Sequence, residues 1–195
     1  MTQSILFASN NAHKAKELKV LLPGFDILSY KDVFKKDFKA DETGLSFHQN
    51  ALIKLEAIEN HPQLICLAED SGLVVEALDG EPGIYSARYG KTHFNDEDRA
   101  RFVLEKMTEK AHRAAHYISI IAIRMPTHTV HLVQGRVDGH IAKTYEGTNG
   151  FGYDPIFIPN GYTDTFGILD SSVKEKLSHR ARACTQLLYV LERGL

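Results

Sequence analysis

Short apolar runs alternate with segments of helical spacing along this chain, and that alternation limits the folds it can adopt. Residues 4–8 (SILFA) have the composition of a short buried strand. Residues 12–22 then repeat apolar side chains every three or four positions, which is typical of a helix with one face against a core. Strands interleaved with helices in this way predict an α/β protein.

The rest of the chain extends this pattern. Residues 126–128 (PTH) separate two long strand patterns and predict a hairpin, so the sheet should contain antiparallel as well as parallel pairs. Residues 35–44 are polar and indicate an exposed loop, while Ser46 and Asn95 are placed to cap helices. We predict strands at 26–30, 64–68, 73–78, 115–125 and 129–138, helices at 47–60 and 96–109, and one final helix with apolar residues from Val173 to Leu191.

Composition excludes several classes of protein. The 195 residues are 43% hydrophobic, which is sufficient for a single domain, 1–195, with its own core. Acidic and basic side chains number 25 and 23, so the chain lacks the basic excess of a general nucleic-acid binder. No apolar run approaches the roughly 20 residues of a membrane span, and no signal-peptide pattern is present. Cys66 and Cys184 lie in apolar surroundings without metal-ligand spacing, so we expect a cytoplasmic protein.

The first segment with recognisable chemistry joins the first strand to the first helix. Ser9, Asn10 and Asn11 supply hydrogen-bond donors there, and Lys14 lies in the first helical turn. A helix N-terminus presents unpaired N–H groups and the positive end of a dipole, which suits a phosphate. The same residues also fit an ordinary helix cap with a solvated lysine, because no Walker motif is present.

Two acidic segments form a second group. Glu42 lies in Asp-Glu-Thr-Gly and Asp70 in Glu-Asp-Ser-Gly, both in predicted loops. Mg²⁺ binds one or two carboxylates together with waters and substrate phosphates, so two such sites match a nucleotide–Mg²⁺ complex. Each segment, taken alone, also fits an acidic turn.

Residues 148–155 (TNGFGYDP) place two glycines beside two rings and a carboxylate. Glycine lets the backbone approach a flat ligand closely, and the rings offer stacking faces, although a purely structural turn has the same composition. Nearer the C-terminus, Lys174 and Ser178-His179-Arg180 offer donors to a phosphate or a carbonyl oxygen. The alternative is that they form only the polar face of the last helix.

Five segments carry a family resemblance over about residues 4–191: SNNAHKAKEL, DETGLSFHQNALIK, AEDSGLVVEALDGEPGIYSARY, TNGFGYDPIF and SHRARA. In this order and spacing they resemble the inosine triphosphate pyrophosphatase family. The resemblance implies an α/β fold with an elongated mixed β-sheet, flanking helices, and two lobes around a central nucleotide-binding cleft. It also implies a homodimer that uses Mg²⁺ to hydrolyse ITP, dITP and XTP to the nucleoside monophosphate and pyrophosphate. Such an enzyme removes deaminated purines from the nucleotide pool. From the balanced charge and the absence of a long apolar run we expect it to bind neither nucleic acid nor membrane.

The resemblance also implies roles for individual residues. Glu42 and Asp70 correspond to the metal ligands, and Asp70 is also the catalytic residue. Glu69 is a departure, because bacterial members of the family usually carry aspartate there. The residues implied to bind the substrate are Ser9, Asn10, Asn11, Ala12, His13, Lys14, Lys54, Ser71, Phe151, Gly152, Tyr153, Asp154, Lys174, His179 and Arg180.

These roles lead to a hypothesis for the mechanism. Asp70 would be the general base for a water that attacks the α-phosphorus, with the charge of the triphosphate balanced by Lys14, Lys54 and Lys174. Two other functions stay open: a pyrophosphatase for modified pyrimidine or 7-methylated nucleotides, and a nucleotide-binding regulatory module without catalysis.

Recognition of the base would depend on a different set of groups. Donors from Arg180 or from nearby backbone would favour a purine with a 6-carbonyl oxygen over adenine, which presents a donor at that position. Either Phe151 or Tyr153 would stack on the ring.

Overall fold

The computed structural model describes residues 3–59 and 61–194. Within them, six strands form one mixed sheet in the order β2-β1-β3-β4-β5-β6, with helices flanking it, which confirms the predicted α/β class. The strands are β1 (Gln3–Phe7), β2 (Phe25–Ser29), β3 (Ile65–Val75), β4 (Ala114–Arg124), β5 (Val130–Ile141) and β6 (Phe157–Pro159). The α-helices are α1 (Ala12–Leu21), α2 (Tyr30–Phe34), α3 (Phe47–Glu56), α4 (Asp96–Lys106), α5 (Ser171–Leu177) and α6 (His179–Gly194).

Strand pairing explains why the sheet is mixed. Strand β1 pairs in parallel with both β2 and β3, and the parallel β1–β2 connection runs through α1, as a crossover helix does. Strand β6 pairs antiparallel with β5. The predicted hairpin joins β4 to β5, and its turn is closed by the Met125 N–H, which donates to the Thr129 carbonyl at 2.9 Å.

The chain divides into two compact units, whose boundaries fall inside β3, β4 and β5. The first unit contains the chain up to Asp70, residues 119–135, and the chain from Arg180 onward; the second contains residues 71–118 and 136–179. Each has its own apolar core. In the first unit the core includes Ile5, Phe7, Leu18, Leu22, Ile65, Leu67, Ile121, Ile123, Leu187 and Leu191. In the second it includes Leu73, Val75, Val103, Met107, Tyr117, Ile141, Ile156, Phe157 and Phe166.

Helix starts follow the sequence closely because each is set by a local side chain. Ser46 and Asn95 cap as predicted, and Asn11 forms the cap that the sequence allowed as an alternative to a phosphate site; for example, the Asn95 amide oxygen accepts from the Asp98 N–H at 2.9 Å. The predicted ends were less accurate. Helix α3 ends at Glu56 and α4 at Lys106, three or four residues before the predicted ends at 60 and 109; residue 60 itself lies outside the described part.

Two predicted boundaries are wrong in ways that affect the site. The strands expected at 64–68 and 73–78 are one strand, β3, so Asp70 lies inside a strand and not in a loop. The single final helix is two helices, α5 and α6, because Ser178 has extended backbone (φ −63°, ψ 161°). Helix α2 and strand β6 had no predicted counterpart. No helix of the described chain is both long and apolar enough to span a bilayer.

Gly139 provides a test of the β5–β6 pairing. A methyl group on its Cα would lie 2.2 Å from the Ile158 carbonyl oxygen, so alanine cannot fit without displacing β6. We expect Gly139→Ala to lower the free energy of unfolding by about 1–3 kcal/mol, measured by urea denaturation. Alanine at the neighbouring exposed His140 is the control. Equal stability of the two variants would contradict the close packing of these strands.

Candidate active site

The N-terminus of α1 is organised by its own loop. The Asn11 amide oxygen accepts from the N–H groups of His13 and Lys14 at 2.9 and 3.1 Å, and the Ser9 hydroxyl accepts from the Asn11 N–H. Asn10 holds the loop before α3, since its amide exchanges two hydrogen bonds with the Phe38 backbone. The cap that the sequence allowed as an alternative is therefore present.

Glu42, Lys54 and Asp70 meet in the first unit, although they come from a loop, from the last turn of α3 and from β3. The Lys54 ammonium nitrogen lies 2.6 Å from Asp70 Oδ1 and 2.9 Å from Glu42 Oε1. It also lies 3.5 Å from the Glu69 carbonyl oxygen. The two carboxylates predicted to share a metal ion thus share an ammonium group here.

Burial affects the pKa values of Asp70 and Lys54. Burial raises the pKa of the Asp70 carboxyl above its ordinary value, and the attraction of Lys54 only partly offsets that effect. For Lys54 burial acts to lower the pKa, but the nearby Asp70 and Glu42 carboxylates outweigh it and raise the pKa. Lys54 therefore stays charged, while Asp70 is a buried carboxylate whose charge is incompletely compensated.

The pair fits a divalent cation that is also bound by a substrate. Asp70 is buried, and its Oδ2 has no hydrogen-bond partner among the described residues. Mg²⁺ prefers carboxylate oxygens and often takes only one or two, with phosphates and waters completing its shell. No set of three or more His, Cys, Asp or Glu side chains in the described ranges forms a closed metal cage. A metal ion in the first unit would therefore have Glu42 and Asp70 as its carboxylate ligands.

Glu69 lies next to Asp70 on β3, and side chains alternate in direction along a strand. Its carboxylate accepts from Arg180 Nε at 3.0 Å and from the Ser119 hydroxyl at 2.7 Å, and Lys14 lies 3.6 Å away. Arg180 also pairs with Glu17 of α1. Although burial acts to raise the pKa of Glu69, Arg180 and Lys14 hold it well below its usual value.

This cluster changes the interpretation of Arg180. The side chain is 1% exposed, and its guanidinium contacts the carboxylates of Glu69 and Glu17. It would have to leave one of these partners to reach a base. Burial lowers the pKa of Lys14, with Glu69 opposing that effect, so Lys14 belongs to the same electrostatic group.

The aromatic-glycine turn lies in the second unit and is built around Asp154. The Asp154 carboxylate, which is 2% exposed, accepts from the Phe151 N–H at 2.7 Å and pairs with Lys174 at 2.5 Å. Gly150 is required because its φ is +74° and an added Cβ would lie 2.0 Å from Asp154 Oδ2. The Lys174 ammonium lies 4.5 Å from the centre of the Phe151 ring, at cation–π distance.

Tyr153 and His179 are held inside the second unit. The Tyr153 hydroxyl donates to the Ser86 carbonyl at 2.7 Å, and the ring is only 5% exposed. Of the two rings that the sequence offered for stacking, the half-buried Phe151 is the more accessible. His179 stacks on Tyr117, with ring centres 4.7 Å apart. Ser71 is half-buried on β3, and the Gly152 N–H donates to Asp96 at 3.2 Å.

The sequence analysis missed three residues that support these groups: Glu17, Ser119 and Ser86. Ser119 carried a signal, because it is a polar residue in the apolar run of β4 and is fully buried. Glu17 is an ordinary acidic residue of a helix surface in the sequence. Ser86, whose hydroxyl accepts from the Leu73 N–H and donates to the Gly83 carbonyl, lies within the third of the five family segments but has no predicted role.

Removal of the Glu69 charge should destabilise the protein. In Glu69→Gln the buried Arg180 loses the negative charge of one of its partners. Removing one partner of a buried ion pair typically lowers the free energy of unfolding by about 3–5 kcal/mol. We expect a loss of unfolding free energy toward the lower end of that range, because Glu17 remains. Glu56→Gln, at an exposed position of α3, should change stability by less than about 0.5 kcal/mol. Similar losses of unfolding free energy in Glu69→Gln and Glu56→Gln would show that the buried Glu69–Arg180 pair does not stabilise the protein.

Comparisons with known proteins identify the family that this chain resembles. A sequence model of the Ham1 family matches residues 5–190. The dITP/XTP pyrophosphatase of Oceanobacillus iheyensis is 40% identical over 189 residues, which cover 95% of this chain and 96% of that protein. The dITP/XTP pyrophosphatase of Christiangramia forsetii is 37% identical over 190 residues, with 97% and 99% covered.

The fold also matches that of a solved Ham1 protein. The solved structure of the Staphylococcus aureus Ham1 protein matches with a TM-score of 0.87 at 37% identity, covering 99% of this chain and 100% of that one. Together with the sequence match over nearly the whole length, this likeness establishes that the chain belongs to the Ham1 family.

Proposed function

We propose that this protein hydrolyses deaminated purine nucleoside triphosphates, such as ITP, dITP and XTP, to the nucleoside monophosphate and pyrophosphate. Relatives named dITP/XTP pyrophosphatase support the substrate class. The observation that carries the chemistry is the contact of Lys54 with both Glu42 and Asp70. In this contact the Lys54 ammonium is suited to bind a triphosphate, and the two carboxylates are suited to bind a metal ion.

In the proposed reaction Asp70 accepts a proton from the attacking water. A bond forms between the water oxygen and the α-phosphorus, while the bond from that phosphorus to the α,β-bridging oxygen breaks. Pyrophosphate leaves with the electron pair. The buried position of Asp70, and its Oδ2 without a hydrogen-bond partner among the described residues, leave a carboxylate oxygen that could accept this proton.

The charge of the substrate requires cations from the chain. Glu42 and Asp70 would hold Mg²⁺, which neutralises phosphate charge and stabilises a leaving pyrophosphate. Lys54 and Lys14 would bind phosphate oxygens; both ammonium groups now lie against carboxylates of the same unit. Cation placement of this kind favours the transition state, where negative charge is redistributed.

Base recognition would use the aromatic-glycine turn around Asp154. Phe151 offers a stacking face, and Lys174 and Asp154 hold the turn that carries it. Donors directed at the 6-carbonyl oxygen would reject adenine, since its amino group leaves donor facing donor. The buried contacts of Arg180 make backbone N–H groups the simpler source of these donors. From the family resemblance we also propose a homodimer that works in the cytoplasm.

Asp70→Asn tests the catalytic assignment. We expect dITP binding to be retained, and Mg²⁺-dependent release of pyrophosphate to fall by about 10²–10⁴-fold. Asp41→Asn is the control, because this exposed aspartate lies beside Glu42 in sequence. Undiminished turnover in Asp70→Asn would remove Asp70 from the mechanism, and dITP binding without turnover in the unmodified protein would favour a regulatory module.

A substrate panel tests the selectivity. Pyrophosphate release with Mg²⁺ should be faster for ITP, dITP and XTP than for ATP, by up to about 10⁴-fold if the donors are buried. Modified pyrimidine and 7-methylated nucleoside triphosphates belong in the same panel. Equal rates for ITP and ATP would contradict the donor argument, and faster release from a modified pyrimidine would support the alternative enzyme.

A further inference from the structure

The contacts of Lys54 suggest a role beyond binding of phosphate. Resting on the proposed function, we propose that Lys54 is an internal cation that competes with a divalent metal ion for Glu42 and Asp70. The pair then accepts the metal readily only when a triphosphate draws the ammonium away. Lys54 would thus couple the binding of metal to the binding of substrate.

The geometry supports competition because the ammonium lies where the two carboxylates converge. Its distances of 2.6 Å to Asp70 and 2.9 Å to Glu42 are those of direct charge-assisted hydrogen bonds. The side chains are also largely shielded, with exposed fractions of 13% for Lys54 and 7% for Asp70. Shielding from water leaves these charges strongly coupled.

A metal ion and this ammonium would compete for the same two carboxylate oxygens, Asp70 Oδ1 and Glu42 Oε1. Mg²⁺ needs carboxylate oxygens at about 2.0–2.1 Å, and Asp70 Oδ1 and Glu42 Oε1 already accept from Lys54. Asp70 Oδ2 is buried without a hydrogen-bond partner among the described residues, whereas Asp70 Oδ1 and Glu42 Oε1 would be released to a metal ion when Lys54 moves. Repulsion between the two cations would favour that movement.

Lysine is the residue type that such an exchange requires. Its ammonium is a compact charge on a flexible stem, so it can leave one set of oxygen atoms and reach another. Lys14, another half-buried lysine of the unit, has its described ion pair with Glu69 and not with these two carboxylates. A triphosphate would supply oxygens for Lys54, and by linkage the substrate and the metal would each raise the affinity for the other.

Metal binding without nucleotide provides the test. Mn²⁺, a stand-in for Mg²⁺, is titrated at pH 8 into the full-length protein, and free Mn²⁺ is measured by electron paramagnetic resonance. We expect Lys54→Met to bind Mn²⁺ roughly tenfold or more tightly than the unmodified protein, because the competing charge is gone. Lys54→Arg and the exposed-site control Lys16→Met should both bind as weakly as the unmodified protein.

Equal or weaker Mn²⁺ affinity in Lys54→Met would overturn the inference, as would the absence of Mn²⁺ binding in every variant. Because this measurement involves no hydrolysis, Mg²⁺-dependent turnover of dITP combined with an unchanged Mn²⁺ affinity would leave the proposed function intact. Only the role of Lys54 would then be rejected.

A second measurement needs no destabilising variant and decides the matter if Lys54→Met does not fold. The ¹⁵Nζ signal of Lys54, assigned by its disappearance in Lys54→Arg, is followed by NMR while Mg²⁺ is added without nucleotide. Competition predicts that saturating Mg²⁺ shifts or broadens this signal as the ammonium leaves the carboxylates. A signal that does not change at saturation would overturn the proposal.

Discussion

Two adjacent carboxylates, Glu69 and Asp70, are buried in the middle of strand β3, and the arrangement of the candidate site depends on how their charges are compensated. Burying a charged carboxylate without a partner costs on the order of several kcal/mol of folding free energy, and such a group often takes up a proton instead. Glu69 is paired with Arg180 and Ser119, while Asp70 is paired with Lys54. These partners compensate the two charges within strand β3, in a segment whose sequence had predicted a loop.

The two compensating cations differ in chemistry, and the difference separates structure from function. Arg180, itself buried, holds the buried Glu69 through a planar guanidinium and also pairs with the partly exposed Glu17. Lys54 holds Asp70 through a mobile ammonium near a partly exposed Glu42. The first arrangement orders β3 against α1 and α6, and the second is the carboxylate pair at which we propose that the cation is exchanged.

In the second unit a buried carboxylate is likewise compensated by a lysine. Asp154 is buried, and Lys174 and the Phe151 N–H satisfy its carboxylate. These contacts fix a turn that needs Gly150 in a positive-φ conformation, and they leave Phe151 as the accessible ring while Tyr153 is anchored by Ser86. The rigidity of this turn would lower the entropic cost of binding a flat base.

The sequence alone determined the features that depend on near neighbours: the α/β class, strand β1, helix α1, the β4–β5 hairpin and the three helix caps, because capping and periodicity act over a few residues. Family motifs also marked Glu42 and Asp70 as candidates. Only the tertiary structure decided that β3 continues through Glu69, that Ser178 separates α5 from α6, and that Arg180 is a buried partner of Glu69. Arg180 lies 111 residues from Glu69 along the chain, and no local pattern reports a charge pair formed over that separation.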